Sequence, residues 1–233
     1  MKIKGILFDF NGTMLFDSAL QEDVWKKFLR SKIGREITNE EIHKYIHGGN
    51  NKTVLSYFFN KDFSNEEVQK LGEEKESMYR DMCLKDEKMF KLVKGLPEFL
   101  NKLKEAGIPI TIATGAPISN VKFYFEHLNL GKWFDINKVV YTDGSFKGKP
   151  EPDIFLKAAK NINVDIENCA VFEDAILGIE AAKRANAAKI IAVSSINWWS
   201  FLCYKRFYGN INRGFVNKNL ITKLCIETNE KMF

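Results

Sequence analysis

The chain lacks any framework of paired cysteines: Cys83, Cys169, Cys203 and Cys225 stand far apart with no CxxC spacing. That speaks against a zinc site or a small disulfide scaffold, and buried free thiols are the expectation. No window approaches the roughly 18 apolar residues of a spanning helix. The start, Met1-Lys2-Ile3-Lys4-Gly5, runs into a strand-like segment without the longer apolar stretch and cleavage site of a signal peptide, so a cytoplasmic location is expected, with no membrane partner. A basic stripe interleaved with aromatics is missing as well. The densest candidate, Tyr204-Lys205-Arg206-Phe207, is short, and no nucleic-acid partner is expected. Internal repeats and low-complexity segments are absent.

What remains is ordinary globular material. The 233 residues, 45% hydrophobic and 28% charged, suffice for one large domain or a core carrying an insertion. The net charge of +5 is spread along the chain and hints only weakly at acidic ligands. A monomer is expected.

Residues Ile3 to Phe10 form a short apolar run that ends in Asp9 and the turn pair Asn11-Gly12, which reads as a buried strand delivering an acid to the carboxyl edge of a sheet. Open α/β sheets bind their ligands at that edge. From Ser18 to about Lys85 the periods become helical. Helix starts are predicted at Thr38-Asn39-Glu40-Glu41 and at Ser64-Asn65-Glu66-Glu67, each a capping residue followed by acids. After Gly95, helix and strand alternate. Helices are expected over 96–106, 121–128, 153–159 and 178–185, with strands at 108–113, 138–140, 169–172 and 189–193. This pattern implies a doubly wound, parallel, Rossmann-like α/β core with an inserted α-helical cap. The boundaries expected are 1–15 and 90–233 for the core and 16–89 for the cap. The aromatic segment from Ser194 onward, with Trp198-Trp199, reads as two edge elements covering the sheet.

The chemical signal lies at the strand ends: Asp9-Phe10-Asn11-Gly12-Thr13, Thr114-Gly115, Lys149-Pro150 and Glu173-Asp174. A carboxylate nucleophile, a hydroxyl, a lysine and a second acidic pair form the set needed to pass a phosphoryl group through an aspartyl-phosphate. Asp9 would attack phosphorus. Mg2+ held by Asp9 and Asp174 would offset the charge of both partners. Lys149 and the Thr114 hydroxyl would balance the equatorial oxygens, with Gly115 beside them, and the N–H groups around Gly12 and Thr13 would cradle them. Each motif alone has a blander reading: a turn for Asp9 to Thr13, a cap for Thr114, a solvated charge for Lys149 and a helix N-terminal acid pair for Glu173-Asp174. Together they outweigh it.

These motifs, in this order, resemble the haloacid dehalogenase superfamily of phosphotransferases. The runs Gly148 to Phe155 and Glu173 to Ile179, with the helical insertion, resemble its branch of beta-phosphoglucomutases and sugar-phosphate phosphatases. The resemblance implies that Asp9 is nucleophile and metal ligand, that the carbonyl of Asn11 and the Asp174 carboxylate ligate the metal, and that Glu173 assists. It also makes the cap loop with His47, Gly48, Asn51 and Lys52 a candidate specificity loop, although an ordinary interhelix turn explains it equally well.

Position 11 departs from the family pattern, where an aspartate usually exchanges protons with the leaving and entering oxygens. Asn11 can orient a group by hydrogen bonding but cannot exchange a proton near neutral pH, and such acid–base help is typically worth about 10²–10⁴-fold. The sequence therefore points to a phosphatase of small phosphorylated metabolites, with a beta-phosphoglucomutase-like isomerase and a catalytically weak phosphate-binding or regulatory protein as alternatives.

Overall fold

A computed structural model describes residues 3–46, 51–86 and 88–193. The chain divides into two compact units, one formed by Met1–Phe16 with Lys91–Phe233 and the other by Asp17–Phe90. The expected C-terminal edge elements lie outside the described residues. No helix among the described residues is long and apolar enough to cross a membrane.

The first unit is built on four parallel strands: β1 (Gly5–Phe8), β2 (Ile110–Ile112), β3 (Cys169–Glu173) and β4 (Lys189–Ala192), in the order β2-β1-β3-β4. The two central strands, β1 and β3, are buried along their whole length, as a parallel sheet covered on both faces requires, while the edge strand β4 is partly exposed. Phe8 pairs with Ile112 on one side and Phe172 on the other. Alternation sends Leu7 and Val171 to one face, into a cluster with Ile154, Phe155, Ala158, Ala181 and Ala182. Phe8 and Phe172 stack on the other face, and the Phe99 ring meets both. Four helices of this unit flank the sheet in sequence, the first, third and fourth of them supplying these partners, and their labels follow those of the helical unit. They are α5 (Leu96–Glu105), α6 (Ile118–Leu128), α7 (Asp153–Asn161) and α8 (Ile176–Arg184).

The expected strand over 138–140 does not form. Asp135 accepts a hydrogen bond from the Asn137 N–H at 3.0 Å and caps a short 3₁₀ turn, Ile136–Lys138. That turn holds the chain out of an extended path until Val140. Val140 alone then bridges to Ala113, donating to the Ile112 carbonyl and accepting from the Thr114 N–H, each at 2.9 Å.

The second unit is helical. Helix α1 (Ser18–Ile33) buries Leu20, Val24, Trp25, Phe28 and Leu29 along one stripe and ends at Gly34, whose φ of 71° suits glycine. Helix α2 (Asn39–Glu41) continues into a π-helical turn, Ile42–Ile46, and is followed by α3 (Asn51–Phe59) and α4 (Asn65–Lys85). Both expected helix starts are reciprocal capping boxes, Thr38 with Glu41 and Ser64 with Glu67. Trp25, Phe28, Leu29, Ile42, Val54, Leu55 and Phe58 share one apolar cluster. A buried polar group accompanies it: the Tyr79 hydroxyl donates to Asp17 at 2.7 Å, and Lys75 pairs with Glu76 while lying over the Trp25 ring.

Candidate active site

Asp9 is the first residue beyond β1, and Asp174 is the first beyond the neighbouring β3. Because Phe8 is in register with Phe172, Asp9 comes level with Glu173, the last residue of β3. The Asp9 N–H extends the ladder by donating to the Phe172 carbonyl at 2.9 Å. Parallel register thus brings Asp9 to the Glu173-Asp174 pair, which lies more than 160 residues away in the sequence. One carboxylate oxygen from each of Asp9, Glu173 and Asp174 lies within 4.8 Å of the others.

Lys149 reaches the same point from the segment before α7. Its Nζ donates to Asp9 Oδ1 at 2.6 Å and to Glu173 Oε1, and the same ammonium lies over the Phe155 ring, 5.3 Å from the centroid. Burial pushes the Lys149 ammonium down, but the charges of Asp9 and Glu173 outweigh that and hold it above its usual value. Asp9 is 6% exposed. Burial holds its carboxyl well above the ordinary range, Lys149 opposes the shift, and the charges of Glu173 and Asp174 reinforce it. Asp174 is pushed up to about 7, first by burial and next by the charge of Glu173.

Local packing explains how the acids are held. Glu173 accepts the Ala175 N–H at 2.6 Å as well as Lys149. It can do so because residue 178, in the first turn of α8, is glycine, and a Cβ there would fall onto the Glu173 carboxylate. Asp174 accepts the Thr13 hydroxyl at 3.0 Å. Gly12, at φ 81°, leaves the space Asp174 occupies, and a Cβ at position 12 would collide with that carboxylate.

The turn after Asp9 is closed by its own backbone amides. The Gly12 N–H donates to the Leu15 carbonyl at 2.7 Å and the Thr13 N–H to the Phe10 carbonyl at 3.3 Å. The tight reversal that brings Gly12 beneath Asp174 consumes those donors. Thr114 follows the Ala113 bridge one strand over from Asp9 and is buried. Its hydroxyl accepts the Ala116 N–H at 3.1 Å, the local turn-capping role available to any threonine there. At Gly115 a Cβ would meet nothing within 4 Å.

Asn11 is half-buried, and its Nδ2 donates to the Tyr124 hydroxyl at 3.0 Å. Tyr124 was not foreseen. In the sequence it is one more aromatic on the apolar face of a helix, with nothing to mark it as a partner of residue 11. Of the candidate cap residues, Asn51 is half-buried and Lys52 exposed at the start of α3, in the helical unit. Asn51 Nδ2 lies where a Cβ at Gly72 would stand. His47 and Gly48 lie outside the described residues.

The donor set fits a hard divalent cation. Three carboxylates face one ammonium, the oxygens converge, and burial penalises their negative charge, so a cation with oxygen preference relieves the site.

A model of the haloacid dehalogenase-like hydrolase family matches residues 3–186. The chain belongs to that family. Among its relatives, a phosphorylated carbohydrates phosphatase from Thermotoga maritima is 28% identical over 195 residues, covering 82% of this chain and 85% of that protein. A solved HAD hydrolase of family IA, variant 3, from Entamoeba histolytica is 38% identical with a TM-score of 0.83, over 92% of this chain and 93% of that one. A solved beta-phosphoglucomutase from Clostridium difficile is 25% identical with a TM-score of 0.74, over 97% and 96%. The Rossmann-like α/β fold of this chain is therefore that of the haloacid dehalogenase-like hydrolases, and the chain is an enzyme of that class.

Proposed function

We propose that this haloacid dehalogenase-like hydrolase is a magnesium-dependent phosphatase of small phosphorylated metabolites, sugar phosphates foremost, and that Asp9 carries the phosphoryl group between substrate and water. The observation that carries this reading is the convergence of Asp9, Glu173 and Asp174 around Lys149 at adjoining strand ends. The similarity to a phosphorylated carbohydrates phosphatase of Thermotoga maritima supports the substrate class.

In the first step an Asp9 oxygen attacks phosphorus and the bond to the leaving oxygen breaks. In the second, water attacks phosphorus, the Asp9–phosphorus bond breaks, and phosphate leaves with the carboxylate restored. Lys149, held charged by two acids, stabilises negative charge beside the nucleophile. Thr13 keeps Asp174 turned toward the centre. Asp9, Asp174 and the carbonyl of Asn11 would hold the Mg2+, assisted by Glu173, and when bound the ion supplies the positive charge that lets an anionic carboxylate approach an anionic phosphate. Asn11 gives and takes no proton, so the leaving oxygen draws its proton from water or another group, and substrates with good leaving groups are favoured.

The likeness to a beta-phosphoglucomutase supports a second reading, an isomerase. Asn11 weighs against it, because an acceptor hydroxyl needs a base in both half-reactions.

The test is phosphate release from a panel of sugar phosphates and one aryl phosphate, with and without Mg2+, for the natural protein and Asp9→Asn. Mg2+-dependent release abolished by Asp9→Asn is expected. Thermal melts supply a readout independent of turnover: Mg2+ should raise the Tm of the natural protein but not of Asp174→Asn. Release that survives Asp9→Asn would sink the nucleophile assignment, and isomerisation of a hexose 1-phosphate without net release would favour the mutase.

A further inference from the structure

Position 11 carries an amide where a proton-exchanging group is usual in this family, and the structure gives that amide a specific partner. Tyr124 lies on α6, 113 residues away in sequence, and is 1% exposed. Its ring stacks on Phe10, centroids 4.2 Å apart at 18°, so the residue preceding Asn11 fixes where the phenol sits. The hydroxyl then faces both polar ends of the Asn11 side chain, 3.0 Å from Nδ2 and 3.5 Å from Oδ1. The terminal torsion of asparagine is broad and nearly two-fold. A hydroxyl placed against its edge selects one setting of it.

We infer that Tyr124 is the positioning residue for Asn11: its hydroxyl clamps the amide so that the side chain orients the oxygen that leaves or enters beside Asp9. The inference rests on the phosphatase reading. A phenol is suited to this task. Held by the Phe10 stack, its oxygen accepts the Nδ2–H at 3.0 Å while lying 3.5 Å from Oδ1, so it favours the setting that turns Nδ2 toward it. Because the Asn11 side chain can contribute orientation only, its effect depends on that orientation, and loss of the clamp is expected to cost turnover roughly tenfold, less than the about 10²-fold that a misplacement of about 1 Å can carry.

The experiment uses Tyr124→Phe, which removes the hydroxyl and keeps the ring stacked on Phe10. Two measurements are made. The first is the NMR signal of the Asn11 side-chain amide, identified by its loss in Asn11→Ala. The second is steady-state turnover of an aryl phosphate with Mg2+ in the natural protein, both single variants and the double variant. Expected results are a shifted Asn11 amide signal and a kcat about tenfold lower with KM changed less than twofold. In the Asn11→Ala background, Tyr124→Phe should cause no further loss of kcat. A merely structural tyrosine would lower kcat by the same factor in both backgrounds, which overturns the inference, as does an unmoved amide signal or an unchanged kcat. Absence of any Asp9-dependent turnover in the natural protein instead overturns the phosphatase reading and the catalytic consequence with it, and the amide signal then decides the clamp by itself.

Discussion

Replacing Gly178 by alanine adds one methyl group and should disable the site from beneath. In most helices this exchange stabilises by about 1 kcal/mol, because glycine is the poorer helix former. Here the new Cβ falls on the Glu173 carboxylate. Glu173 is fully buried and holds both Lys149 and the Ala175 N–H, so moving it aside breaks a buried ion pair and a charge-assisted hydrogen bond. Depriving a buried charge of its partner costs about 3–5 kcal/mol. Set against the helix gain, the net loss is about 2–4 kcal/mol, or a Tm lowered by roughly 4–16 °C at the sensitivity of a chain this size. Turnover should fall as well, since Lys149 loses one of its two anchors. Differential scanning calorimetry and denaturant melts measure the loss. Gly131→Ala is the control, because a Cβ there meets nothing within 4 Å. A double-mutant cycle completes the argument: once Glu173 is alanine the obstruction is gone, and Gly178→Ala should then be neutral or stabilising by up to about 1 kcal/mol. Equal costs of Gly178→Ala in both backgrounds would refute the reasoning, as would a cost no larger than that of Gly131→Ala.

Two further outcomes follow from the same geometry. Asn11→Asp should raise turnover of substrates with poor leaving groups, up to the roughly 10²–10⁴-fold that acid–base help contributes, with a smaller gain for an aryl phosphate. Equal rates before and after, measured by phosphate release, would mean that another group already exchanges the proton. At the start of α4, Glu67 is lowered to about 2, first by Lys61 and then by the Ser64 backbone bond. A carboxyl held below its usual value of about 4.5 contributes stability that is present above that value and lost as pH falls toward 2. The natural protein should therefore exceed Glu67→Gln in stability at pH 6, with the gap closing between pH 4.5 and 2. A gap that is constant across urea melts in that range would exclude the linkage.

Much of this protein is written in local pattern. The α1 stripe from Leu20 to Leu29, the two capping boxes at Thr38 and Ser64 and the alternation of helix and strand after Gly95 are decided by short-range sterics, capping and burial, which a sequence displays directly. The acids ending apolar runs, Asp9 and Glu173-Asp174, are legible for the same reason: a charge at the end of a buried strand has to serve some purpose. The Val139-Val140 run was misleading because an aspartate five residues before the final valine, Asp135, caps a 3₁₀ turn, and a β-branched pair cannot override that on its own.

What tertiary structure alone decided is which distant groups meet. Lys149 comes to Asp9 across 140 positions, and Tyr124 to Asn11 across 113, because strand register and helix docking set those distances and no local periodicity encodes them. The same applies to space. That the Gly12 and Thr13 amides are spent inside their own turn, and that Gly12 and Gly178 exist to admit the Asp174 and Glu173 carboxylates, follows only from where the chain lies once folded. By itself the sequence determined the kinds of group available for phosphoryl transfer and the absence of an acid at position 11. The fold determined how closely those groups approach one another and which neighbour holds each in place, since packing and register are properties of the assembled chain.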